Sequence, residues 1–147
     1  MIIIDDKGPQ LSTSQVAELE ARIGFSLPDH YRRFLLENNG GTPTPDTVDV
    51  NGIQGSPTDL RAFFGINQDI EAHNIEWMAD IMSDRIERRL IPIAYDSGGN
   101  VFCLSLSGVD RDSVYYYDEN YWHVTNRLHL VATSFASFLE KIRQFEN

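Results

Sequence analysis

Two runs of apolar and β-favouring residues, Ile91-Pro92-Ile93-Ala94-Tyr95-Asp96 and Val101-Phe102-Cys103-Leu104-Ser105-Leu106, are separated only by Ser97-Gly98-Gly99-Asn100. A cluster that tolerates positive φ between two such runs closes a β-hairpin, so antiparallel sheet is built into the middle of the chain. A third run, Ser113-Val114-Tyr115-Tyr116-Tyr117-Asp118, follows, and Glu119-Asn120 separates it from Tyr121-Trp122-His123-Val124-Thr125, which predicts a second strand pair. Side chains alternate across a strand, so the three consecutive tyrosines cannot all point into a core. With Val114 and Tyr116 beside Phe102, Leu104 and Leu106 against helices, Tyr115 and Tyr117 fall on the opposite face, beside Cys103 or Ser105.

Helical signals frame these strands. Ser12 reads as an N-cap with Gln15 as its capping-box partner and a Leu11/Val16 staple; Val16, Leu19 and Ile23 recur at helical spacing, and Gly24 ends the element. Pro28 has its φ preset and suits the start of a second helix that carries Tyr31, Phe34 and Leu35 on one face and leaves through Asn39-Gly40-Gly41. From Gly41 to Gly55, Thr, Val and Ile are broken by Pro43, Pro45 and Gly52, the pattern of an irregular edge strand. Ser56, Pro57 and Thr58 followed by Leu60, Phe63 and Phe64 read as one further helical patch, and Ile70, Ile75, Met78, Ile81 and Met82 as another. The chain closes with Phe135, Phe138, Leu139 and Ile142 spaced i, i+3, i+4, i+7 behind Thr133 or Ser134 as cap. Strands run consecutively while helices sit at both ends. The expected class is α+β, one domain over residues 1–147, with an antiparallel-rich sheet packed by N-terminal and C-terminal helices and extra helices inserted before the central hairpin.

Composition narrows the function classes. No apolar run approaches the roughly 20 residues that cross a bilayer. The opening Met1-Ile2-Ile3-Ile4-Asp5-Asp6-Lys7 lacks the basic and long apolar regions of a signal peptide, and the one cysteine, Cys103, has no partner for an internal disulfide. A reducing, cytoplasmic location is expected, with no membrane association. The 22 acidic and 12 basic side chains give a formal net charge of -10. Neutralising a phosphate backbone needs clustered Lys and Arg, and the only such cluster is Arg85, Arg88 and Arg89, so nucleic-acid binding is disfavoured and a cationic partner favoured.

The residues that could carry chemistry do not assemble into a motif. Asp96, Asp118 and Glu119 lie at strand ends or turns, where catalytic carboxylates are found, but Asp and Asn favour turns for their own backbone hydrogen bonds. His30, His73, His123 and His129 show neither HExxH spacing nor a Cys/His cluster, which disfavours zinc. Ser97-Gly98-Gly99-Asn100 is followed by a strand instead of a helix N-terminus, so it is a turn and no phosphate cradle. No cofactor is implied.

The order of a Ser-capped first helix, Leu27-Pro28-Asp29-His30-Tyr31, Asn39-Gly40-Gly41, Ile91-Pro92-Ile93-Ala94, Gly98-Gly99-Asn100, Val114-Tyr115-Tyr116-Tyr117-Asp118 and a terminal Ser134-Phe135-Ala136-Ser137-Phe138-Leu139 resembles the SUKH superfamily, in its Smi/Knr-type branch, over roughly residues 11–142. The resemblance implies an α+β domain without catalytic machinery. Such domains serve in bacteria mostly as immunity partners of polymorphic or contact-dependent toxins, and in fungi within cell-wall regulators. A regulatory or scaffold module of the same fold is the alternative it leaves open. The chain departs from the commonest pattern in an acidic, Met-containing insert between Phe64 and Leu90. Acidity and exposed aromatics together place the expected partner-binding surface at Asp96, Tyr115, Tyr117, Asp118, Glu119 and Trp122, with a cognate, cationic toxin domain as the partner.

Overall fold

The computed structural model describes residues 2–119 and 127–146. The capping signals act where the sequence places them. The first helix, α1, spans Thr13–Ile23: the Ser12 hydroxyl accepts the Gln15 N–H while the Gln15 side chain accepts the Ser12 N–H at 2.8 Å, and Gly24 leaves the helix at φ 82°. The second, α2, spans Asp29–Asn38 behind Pro28, and Asn39 closes it in the left-handed region at φ 48°. Asn39 does more than turn the chain. Its side-chain amide donates to the Pro9 and Ile66 carbonyls and accepts the Ile66 N–H, tying the N-terminal segment and the 64–68 loop to the end of α2.

The strands are β1 (Ile3–Asp5), β2 (Thr42–Thr44), β3 (Thr47–Val48), β4 (Thr58–Asp59), β5 (Ala62–Phe63), β6 (Leu90–Tyr95), β7 (Val101–Ser105), β8 (Val114–Tyr117) and β9 (Leu128–Ala132). The last five form one antiparallel sheet in the order β5-β6-β7-β8-β9; β1 pairs with β2, and β3 with β4. A bridge from Gly41 to Phe63 joins the β1-β2 pair to β5. The predicted hairpin is β6-β7. Pro92 cannot donate to the ladder, and beside it the register shifts so that Ile93 is an extra residue opposite the Cys103–Phe102 pair.

Register then sorts the faces. Phe102 lies opposite Ala94 and Tyr116, and Leu104 opposite Ile91 and Val114. On this face sit α2 and the terminal helix α4 (Phe135–Lys141), which is capped by Ser134 and Ser137 as a capping box. Phe102 meets Phe138 at 5.5 Å between ring centroids, Phe34 meets both Phe63 and Phe135, and Tyr31 meets Phe135 edge-on. As expected from alternation, Tyr115 opposes Cys103 and Tyr117 opposes Val101 on the other face.

Two expectations need correction. Leu60, Phe63 and Phe64 satisfy helical spacing but lie in and around β4 and β5, because the backbone bonds here run to distant segments: Leu60 N–H to Asp46, Arg61 to Tyr95, Phe63 to Gly41 and Phe64 to Ile93. Of the insert, only Ile75–Ile81 forms an α-helix, α3, preceded by a 3₁₀ turn at Glu71–His73, and Ile70 is left exposed. The predicted strand at 121–125 falls outside the described residues; β8 instead pairs with β9.

Candidate protein-binding surface

The hairpin turn holds the first expected contact residue. Asp96 accepts the N–H groups of Gly98 and Asn100, the Thr58 hydroxyl at 2.8 Å and the Tyr116 hydroxyl. The carboxylate is 3% exposed. The Asn100 side-chain amide donates to it as well, so five donor groups replace the water that the buried side chain gives up. Burial first, then the Asp96 carboxylate, pushes the Tyr116 phenol upward. Asn100 extends the network by accepting the Glu119 N–H at 2.8 Å, so the β6-β7 turn and the end of β8 are one unit.

On the face away from α2 and α4, the segment that follows α3 supplies guanidinium groups. Arg85 pairs with Glu119 at 2.6 Å and Arg89 with Asp110 at 2.6 Å. Asp110 also accepts the Tyr115 hydroxyl and that of Ser105. Arg89 foremost, and then Tyr115, hold its carboxyl down at about 2. Cys103 lies fully buried beside Tyr115, and burial pushes its thiol up to about 12, which leaves it a packing residue and no nucleophile.

The sequence-predicted contact residues therefore divide. Asp96, Tyr117 and Asp118 are buried, a correction to their expected place on the surface: Asp96 and Asp118 sit in the hydrogen-bonded ends of the hairpin and of β8, and Tyr117 lies within the sheet between Val101 and Leu128. Tyr115 and Glu119 are half-exposed and already engaged, with Asp110 and Arg85. Trp122 lies outside the described residues. Asp96 and Glu119 are brought together through Asn100, whereas Tyr115 belongs to the Arg89–Asp110 group further along β8.

Among the described residues five of the chain's 12 cations, Arg22, Arg32, Arg85, Arg89 and Arg143, are held by carboxylates in partly exposed ion pairs, which leave the formal net charge of -10 unchanged. Among the described residues no group of His, Cys, Asp and Glu is arranged to hold a metal ion, and no helix is long and apolar enough to cross a membrane.

Two comparisons bear on this arrangement. The SPbeta prophage-derived uncharacterized protein YokK of Bacillus subtilis (strain 168) is 30% identical over 149 aligned positions, which cover 89% of this chain and 74% of that protein. The family described as SMI1 / KNR4 (SUKH-1) matches residues 10–141, from the approach to α1 to the last turn of α4. That span takes in both helical caps, the hairpin and the terminal aromatic stripe, and membership fits a protein-binding role of the immunity type. The chain belongs to the SMI1 / KNR4 family (SUKH-1).

Proposed function

We propose that the chain is a non-catalytic binding protein that acts in the cytoplasm as an immunity protein, neutralising a cognate toxin domain by occupying its active site, and that the toxin is cationic, of the nuclease type. The observation that carries this reading is the acidic excess itself. With 22 acidic against 12 basic side chains the formal net charge is -10, and ion pairs within the chain remove acid and base together and leave that balance unchanged, so the field outside the molecule is negative. An enzyme that cleaves nucleic acid keeps a positive cleft for its substrate, and a strongly negative protein is both drawn to that cleft and able to take the substrate's place. Two of the turn carboxylates weighed as catalytic candidates have other work: Asp96 accepts from Thr58, Gly98, Tyr116 and both the N–H and the side-chain amide of Asn100, and Glu119 is paired with Arg85. Of the surface expected from sequence, Tyr115 and Glu119 stay in the proposed interface as half-exposed side chains.

Co-expression with the product of the adjacent gene tests the reading. Co-purification as a stable complex, together with protection of cells from that product, is the expected result. Failure to bind it, or protection that needs no binding, would overturn the reading.

A further inference from the structure

The insert between Phe64 and Leu90 builds a cleft. Its walls are the C-terminal end of α1 and α3, and its floor is apolar, formed by Ile23, Ile86, Leu90, Ile91 and Leu106. The volume is about 190 Å³. Sites for whole small molecules run to roughly 300–1,000 Å³, so this one has room for a single large side chain. Charges ring the mouth but most are already satisfied. Arg22 and Glu76 pair across it at 2.8 Å, joining α1 to α3, and Glu87 is held by Arg89. Two charges remain without an opposite charge at ion-pair distance among the described residues: Asp80 on α3, and Arg88 just before β6. An apolar centre inside a polar rim is the anatomy of a protein-binding hot spot, and the two unanswered charges give it a direction.

We propose that this cleft receives one large apolar side chain of the partner protein, with a neighbouring basic side chain of that partner paired to Asp80; the proposal rests on the reading above that the partner is a cationic protein. Charge complementarity selects that occupant. The molecule as a whole is negative, and of the charges lining the cleft the acid without an ion-pair partner among the described residues is Asp80 on α3, so a basic group is welcome beside it and disfavoured beside Arg88.

The test uses the full chain, ¹⁵N-labelled, with two blocked dipeptides as probes, acetyl-Trp-Arg-amide and acetyl-Trp-Glu-amide. The expected result is that the first shifts the amide signals of Ile23, Ala79, Asp80 and Leu90, and that the second binds at least fivefold more weakly. Ala79→Trp, which fills the cleft from α3, should abolish the shifts, and Asp80→Lys should reverse the preference between the probes. Both positions tolerate substitution, being half-exposed and exposed, and unchanged thermal melting verifies the fold of each variant. Shifts elsewhere, no shifts, or equal affinities for the two probes would overturn the proposal. A dimer that Ala79→Trp dissolves would assign the cleft to a second copy and overturn it as well.

The adjacent gene product then separates this proposal from the reading beneath it. If the wild-type chain captures that protein and Ala79→Trp and Asp80→Lys weaken the complex at least tenfold, the cleft is the contact. If the variants capture it as tightly as the wild type, the cleft proposal fails while the immunity reading stands. If the wild type captures nothing, the reading fails and takes the cleft's partner with it.

Discussion

Asp96 sits beside a Gly-Gly turn, where a carboxylate is ordinarily solvated, yet it is buried because its donors come from far along the chain: Thr58, 38 positions earlier, and Tyr116, 20 positions later. That is why it reads from sequence as a surface residue. Local spacing reveals the turn that Asp96 makes with Gly98 and Asn100, and nothing in it reveals the hydroxyls of two other strands. Tyr116→Phe removes one donor and leaves a buried acceptor short, at a cost of about 1–3 kcal/mol. A drop in the urea midpoint without loss of partner binding is the expected outcome, and an unchanged midpoint would deny the hub its structural role. Asp110 supplies a pH signature. Its folded pKa of about 2, set first by Arg89 and then by Tyr115, lies below that of an unfolded aspartate, so the unfolded chain takes up the proton first as pH falls. The stability it contributes is thus complete above about pH 4 and is lost on the way down to about pH 2. Asp110→Asn should lower the urea midpoint at pH 7, and the gap from wild type should close towards pH 2; a gap that ignores pH would mean that the charge on Asp110 is not what Arg89 and Tyr115 hold.

Elements whose signals are local are the ones that sequence reveals. The Ser12–Gln15 box, the Gly24 and Asn39 exits, the β6-β7 hairpin and the Phe135–Phe138 stripe each lie within one short window, and each forms as read. The 58–64 segment misleads because Leu60, Phe63 and Phe64 repeat at helical intervals while their N–H groups are claimed by Asp46, Gly41 and Ile93. Tertiary pairing overrides the local period there. The strand at Leu128–Ala132 carries no clear sequence signal for a related reason: its side chains run partly exposed to buried without clean alternation, through a register shift against β8. The terminal helix permits a firm prediction. Phe138 is fully buried against Phe102 and Phe135, so Phe138→Ala should cost on the order of 3–5 kcal/mol and leave the protein largely unfolded or insoluble. Thermal melting at the wild-type temperature would contradict that packing. Ser12→Ala, at an exposed cap, should cost only about 1 kcal/mol.

At the scale of the whole molecule, the acidic excess and the committed carboxylates point the same way, towards binding without chemistry. Composition alone discloses the charge; it does not disclose which carboxylates hold Arg22, Arg32, Arg85, Arg89 and Arg143, which is a property of the fold. Electrostatic steering by a net charge of -10 should make association with a cationic partner slow steeply as salt rises, since the Debye length falls from about 30 Å at 0.01 M to about 8 Å at 0.15 M. Stopped-flow association rates that do not change over that range would reduce the charge to a solubility device. The central claim, neutralisation by occupancy, meets its most direct test in a titration of the proposed toxin's activity with the purified chain. Binding without catalysis requires inhibition that rises linearly and is complete at one molecule per toxin molecule; full inactivation by a small fraction of an equivalent, or persistent activity at excess, would contradict it.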